Sequence, residues 1–84
     1  MTQIRIKLFA SLSDFLPADA YRNAVACDVP ADTTIFAALD RLKVPHEQCH
    51  LVLLNGEFVP PGLRAASVVS EGDTIAVWPP IAGG

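Results

Sequence analysis

Little in this chain points to a catalyst, a nucleic-acid binder or a membrane protein. Its 84 residues carry six Lys and Arg against nine Asp and Glu, for a net charge of −3. The six cations (Arg5, Lys7, Arg22, Arg41, Lys43 and Arg64) are scattered along the chain, with no basic stripe interleaved with aromatics, which argues against a nucleic-acid partner. Apolar runs such as Leu51-Val52-Leu53-Leu54 fall far short of the about 20 residues that cross a bilayer, so no membrane association is expected. No charged segment followed by an apolar stretch opens the chain, so no export signal is expected and a cytoplasmic location follows by default. Two cysteines, Cys27 and Cys49, are too few for a disulfide framework in such a protein. There is no Ser-His-Asp set, and Gly62 and Gly72 stand alone rather than in a phosphate-cradling loop. The one run resembling a metal site, His46-Glu47-Gln48-Cys49-His50, offers at most three good ligands and no second cluster, so it reads as a loop with no metal expected. Without a catalytic constellation, the chain reads as a co-substrate or accessory subunit rather than an enzyme.

What the chain does have is apolar surface. Apolar residues make up 51% of it and the mean hydropathy is +0.37. A single domain of this length buries only about 60–65% of its unfolded surface, so part of that apolar complement is expected on the outside. Exposed apolar patches mark partner-binding faces.

The periodicity defines an α+β fold. Residues 4–9 alternate, placing Ile4, Ile6 and Leu8 toward a core and Arg5 and Lys7 toward water. Ser11 to Leu16 reads as a short helix stopped by Pro17. Ala24 to Val29 alternates again, with Val25, Cys27 and Val29 on one face, and Pro30 ends it. Asp32-Thr33-Thr34 supplies three N-cap candidates for the main helix, whose stripe is Ile35, Leu39 and Leu42. Asp40, Arg41 and Lys43 fall on its solvent side, Pro45 is expected to terminate it, and it should run two to three turns. Leu51 to Leu54 predicts a strand with one face on the helix and the other in need of a partner. Asn55-Gly56 is a reverse-turn pair leading into Glu57-Phe58-Val59, and Ser70 to Asp73 is a second turn before a final strand over Thr74 to Trp78. The order strand, strand, helix, strand, short strand, strand predicts an α+β roll of the β-grasp type, with four to five strands on one main helix. In that roll the last strand lies beside the first. Residues 1–78 form the domain on this reading, and 79–84 a flexible C-terminal tail.

The tail reads Pro79-Pro80-Ile81-Ala82-Gly83-Gly84. A Gly carboxylate on an extended segment has no side chain near the reacting carbon and can thread a narrow active site. Gly83, likewise without a Cβ, adds to that clearance. Pro79 and Pro80 either stiffen the root of the tail, lowering the entropy lost on insertion, or simply end the strand. Trp78 either anchors a partner or caps the edge of the core. Phe58 and one face of Leu51 to Leu54 are further candidates for the same surface, and Ile81 and Ala82 would enter the partner with the tail.

These residues carry a resemblance. Glu71-Gly72-Asp73-Thr74-Ile75-Ala76-Val77 followed by Trp78-Pro79-Pro80-Ile81-Ala82-Gly83-Gly84 resembles the end of the small subunit of molybdopterin synthase. The opening Ile4-Arg5-Ile6-Lys7-Leu8-Phe9-Ala10 is similar to that family's first strand, whereas Leu54-Asn55-Gly56-Glu57-Phe58-Val59-Pro60 looks more like the thiamine-pathway sulfur carriers. The likeness spans most of the chain, and only its final fourteen residues are specific. Both families are ubiquitin-like sulfur carriers. The resemblance implies that an adenylating enzyme related to ubiquitin activators uses ATP to activate the Gly84 carboxylate, which sulfur transfer then converts to a thiocarboxylate. It further implies a larger acceptor subunit, such as the large subunit of molybdopterin synthase, and no cofactor bound by the chain itself. A carrier for thiamine thiazole or another sulfur metabolite, a ubiquitin-like protein modifier, and an interaction module with an inert tail are the competing readings.

Overall fold

In a computed structural model that describes residues 1–80, five strands form one mixed sheet. In chain order they are β1 (Thr2–Leu8), β2 (Ala24–Val29), β3 (Leu51–Leu54), β4 (Glu57–Phe58) and β5 (Thr74–Trp78), with one α-helix, α1 (Ile35–Asp40), between β2 and β3. 3₁₀ helices cover Ala10–Phe15, two turns long, and His46–Gln48 and Pro61–Leu63, one turn each. Across the sheet the order is β2-β1-β5-β3-β4. The last strand lies parallel to the first, pairing Ile6 with Ile75 and Leu8 with Val77, and antiparallel to β3, pairing Leu51 with Trp78. The expected β-grasp roll is therefore present, with β5 flanked on both sides.

Strand alternation builds the core. Ile4, Ile6, Leu8, Val25, Val29, Val52, Ile75 and Val77 face inward and are buried, packed with Ile35, Ala38 and Leu39 of α1. Cys27 sits half-buried at the margin of this cluster. Burial raises its thiol pKa above the ordinary 9.0, with Arg41 opposing.

The helix differs from expectation. It spans six residues, fewer than two turns, and it stops before Pro45 for a local reason. Lys43 takes the left-handed conformation at φ 61°. Its N–H donates to the Asp40 carbonyl and that of Val44 to the Leu39 carbonyl. That pair of bonds is a Schellman closure, with Lys in place of the usual Gly. Leu42 still packs against the core from the turn that follows. So short a helix needs outside partners for its first N–H groups. Thr34 Oγ1 accepts from the Ala37 N–H, and the carbonyls of Ser67 and Arg64 accept from Ile35 and Phe36.

Two turns rely on left-handed residues. Arg22 and Asn23 (φ 52° and 64°) form the two-residue turn between the bridged Tyr21 and Ala24 at the entry to β2, and Asn55 and Gly56 (φ 52° and 85°) close β3–β4. Asn55 also joins two turns. Its Nδ2 donates to Asp73 Oδ1 at 2.9 Å, and its Oδ1 accepts from the Thr74 N–H at 2.9 Å.

Candidate functional site: the tail root and the open sheet face

Alternation that sends one set of side chains to the core sends the other set to the opposite face, and among the described residues no helix covers that face. The register aligns it. Lys7 pairs with Ala24 and Ala76, Ala76 with Leu53, and Leu53 with Phe58. Leu51 and Trp78 form the next apolar pair. Leu51, Leu53 and Trp78 are half-buried, while Phe58 is 56% exposed. Phe58 and Trp78, both expected as partner contacts, thus share one face of the sheet, and the partner-seeking face of β3 is the open one.

Trp78 marks where the chain leaves the sheet. Its ring stacks on Phe9 with centroids 4.4 Å apart and planes within 6°. This pair forms because β1 and β5 run parallel, so the residue after Leu8 falls beside the residue after Val77. The backbone is fixed there as well: Phe9 N–H donates to the Val77 carbonyl, and His50 N–H to the Trp78 carbonyl. Pro79 is buried and Pro80 exposed. Around this point lies a groove of about 580 Å³ lined by Ala10, Ser11, His50, Leu51, Trp78, Pro79 and Pro80. Trp78 therefore stacks on Phe9 and forms one wall of this groove. Ile81, Ala82, Gly83 and Gly84, expected to act in the tail, lie outside the described residues.

The His46 to His50 run does not converge. His46 stacks on Phe36 at 3.9 Å and its Nε2 lies 2.7 Å from Asp40 Oδ1. Cys49 turns inward, its thiol donating to the Pro45 carbonyl at 3.5 Å, with burial raising its pKa against the pull of Arg64. His50 faces the groove at the tail root. Among the described residues no group of three or more His, Cys, Asp or Glu is placed to hold a metal ion.

Arg64, Phe9, Ala10, Ser11 and His50 were not legible as site or framework residues. Arg64 is 2% exposed. It donates from Nε to the Val59 carbonyl at 2.9 Å, from Nη1 to Cys49 and from Nη2 to His50 at 3.2 Å. The guanidinium thus ties the segment after β4 to the segment entering β3, just behind the groove. Burial lowers its pKa from the ordinary 12.5. A lone Arg between apolar neighbours carries no sequence signal for this role; the signal for Phe9 was the break in alternation at Leu8-Phe9.

A mixed sheet with its last strand inserted beside the first, one short helix on one face and an open apolar face on the other, defines a ubiquitin-like β-grasp protein. Solved structures of that fold align over nearly the whole chain. Small archaeal modifier protein 1 of Haloferax volcanii is 26% identical, with 96% of this chain and 100% of that one covered and a TM-score of 0.71. The thiamine biosynthesis protein of Geobacter metallireducens is 20% identical over 95% and 99% of the two chains, with a TM-score of 0.60. Subunit 1 and subunit 2 of the Helicobacter pylori molybdopterin-converting factor were solved as a complex; a chain of it is 17% identical over 99% and 100%, with a TM-score of 0.60. The last two, at these identities, speak to the fold alone. The family model described as Mut7-C ubiquitin matches residues 1–82, and the chain belongs to that family. No curated protein matches it significantly. The likeness to the thiamine-biosynthesis and molybdopterin-converting proteins thus holds at the level of the fold. No helix among the described residues is long and apolar enough to cross a membrane.

Proposed function

We propose that the chain is a sulfur carrier, working in the cytoplasm as the small subunit of a molybdopterin synthase or of a close molybdenum or tungsten cofactor variant. The observation that carries this reading is the position of Trp78-Pro79-Pro80 at the end of β5. The strand is held on both sides, the exit is fixed by stacking and backbone bonds, and the next residues are Ile81-Ala82-Gly83-Gly84. On this reading residues 1–78 are the rigid handle and 79–84 the working tail. Gly84 bears the reacting carboxylate and Gly83 gives clearance for insertion. Trp78, Phe58 and the apolar open face meet the partner, and Pro79 and Pro80 hold the tail root.

The chemistry follows from the carboxylate. With an ordinary pKa near 3.5 it is ionised at neutral pH, and its resonance makes it a poor electrophile. Attack of its oxygen on the α-phosphorus of ATP releases pyrophosphate and gives an acyl-adenylate, an activated carbon. Replacement of AMP by sulfur from a donor leaves a thiocarboxylate, a soft nucleophile for delivery to a larger acceptor subunit. The catalytic groups for each step belong to the partners. Removing Gly84 should abolish ATP–pyrophosphate exchange by the cognate adenylating enzyme; exchange undiminished by the deletion refutes the reading.

The likeness to small archaeal modifier protein 1 supports a second reading, a protein modifier that uses the same activated Gly84 to acylate lysines. It predicts higher-mass conjugates in cells expressing the chain, absent when Gly84 is removed. A carrier serving thiazole or another sulfur metabolite predicts no conjugates and a different acceptor.

A further inference from the structure

The open face is charged as well as apolar, and its cations gather on one side. Alternation puts Arg5 and Lys7 of β1 on that face, with Ala26 and Ala24 of β2 opposite them. The bridge between Tyr21 and Ala24 sets Tyr21 on the same face, one position beyond β2. Arg22 follows in the turn, over the Tyr21 ring at 5.2 Å. Three of the chain's six cations thus line one concavity of about 380 Å³, together with Tyr21 and no acidic residue. Among the described residues none of the three pairs with a carboxylate. Asp28 shares the face but lies at its far corner, bonded to the Gln3 side chain at 3.4 Å. Glu57 pairs with Leu54, whose side chain packs on the core. A chain of net charge −3 therefore presents a positive patch here.

The patch flanks the tail root. Strands β1 and β5 run parallel, with Lys7 beside Ala76, two residues before Trp78. Lys7 and the Arg22 turn therefore stand at the end of the sheet where the chain leaves it. One row of the register reads Tyr21, Ala24, Lys7, Ala76, Leu53, Phe58. At about 4.8 Å per strand the row is about 24 Å wide. The cations hold one half of it and the apolar Leu53 and Phe58 the other, with β5 and the tail root between. Gly83 and Gly84 have no side chains to fix the rotation of the tail about its own axis, so the surface beside the root must set it.

We propose that the adenylating enzyme presents carboxylates to Arg5, Lys7 and Arg22 on one side of its tail-accepting channel, and apolar surface to Leu53 and Phe58 on the other. The inference rests on Gly84 being the group that enzyme activates. Attraction is needed most there, because an anionic tail on a chain of net charge −3 approaches a site that also holds ATP. The three cations repel one another while unpaired, and acidic groups on the enzyme relieve that repulsion. With the chain turned by half about the tail axis, the same carboxylates meet Leu53 and Phe58 and lose water without gaining a partner. The one-sided charge thus selects a single rotational setting for the tail, and it steers the encounter toward that setting.

The test is ATP–pyrophosphate exchange by the adenylating enzyme, measured against the concentration of the full chain. Arg5→Gln/Lys7→Gln should raise the KM for the chain about tenfold at low salt and leave kcat unchanged. Arg5→Glu/Lys7→Glu should raise it further. The parent's KM should climb with added salt, and that of the Gln variant should climb less. Arg41→Gln/Lys43→Gln, at the end of α1, should behave as the parent does. Equal KM for the parent and the Arg5/Lys7 variants, an equal rise in the Arg41/Lys43 variant, or a fall in kcat at unchanged KM overturns the proposal, while exchange with the parent leaves the carrier reading standing. No exchange with the parent, by an enzyme active on another carrier, overturns both. All four substituted cations lie outside the core, so folding is not at issue.

Discussion

Replacing Arg64 with Ala should cost more stability than its place in a loop suggests. The side chain is 2% exposed, bonds three backbone carbonyls from two segments, and pairs with no carboxylate among the described residues. Its removal strands the carbonyls of Val59, Cys49 and His50. A buried polar group left without its partner costs about 1–3 kcal/mol. Water entering the space would restore part of that, and removing the charge also lifts the cost of burying it. We therefore expect a net loss of about 3–4 kcal/mol, within a total stability of about 4–12 kcal/mol for a chain of this size. At about 4–8 °C per kcal/mol for small domains, the melting temperature should fall by at least about 12 °C. Urea unfolding followed by Trp78 fluorescence measures both the midpoint and the slope. Arg64→Lys, which keeps charge but not the planar fork, should recover less than half of the loss. Arg41→Ala, at an exposed site, should change stability by under about 0.5 kcal/mol. A loss below about 1 kcal/mol for Arg64→Ala refutes the clamp.

Other consequences can be measured on the same chain. A double-mutant cycle of Phe9→Ala and Trp78→Ala should give a coupling of about 0.5–1.5 kcal/mol, as expected of a stacked pair; strictly additive losses contradict the stack. Asn55→Ala should destabilise by about 1–3 kcal/mol, because it removes two bonds to the Asp73–Thr74 turn and leaves a Cβ residue without its side-chain bonds at φ 52°. Asn55→Gly should fall between it and the parent in urea unfolding, and equal stability of all three refutes the cross-link. The thiols of Cys27 and Cys49 hold their protons above the ordinary 9.0 when folded. Their contribution is fully present below pH 9.0 and is lost as pH rises through the folded values. Stability measured by urea should therefore decline through that alkaline range, less so in a Cys27→Ala/Cys49→Ala variant; identical pH profiles refute the assignment.

The sheet was legible because period-two alternation and turn chemistry act locally. Ile4, Ile6 and Leu8 had to share a face, and Asn55-Gly56 had to reverse the chain. Helix length was not, since it depends on Lys43 accepting a left-handed conformation that Gly normally takes, and Pro45 offered a more obvious stop. At the site, Trp78 and Phe58 stood out as large aromatics near turns and strand ends, and the register joined them on one face. Arg64 was illegible for a different reason. Its three partners are carbonyls, which every residue carries, so nothing in their side chains marks the contact. Phe9 and His50 became site residues only through the order β1-β5-β3, a tertiary fact that brings three distant segments to the end of one strand.

The central claim rests on the carboxylate of Gly84, and intact mass tests it most directly. The chain is incubated with ATP, its adenylating enzyme and a sulfur source, beside a chain lacking Gly84. The account predicts a mass increase matching one oxygen replaced by sulfur in the full chain and none in the truncated one. An unchanged mass, with the same enzyme shown to be active on another carrier, contradicts it.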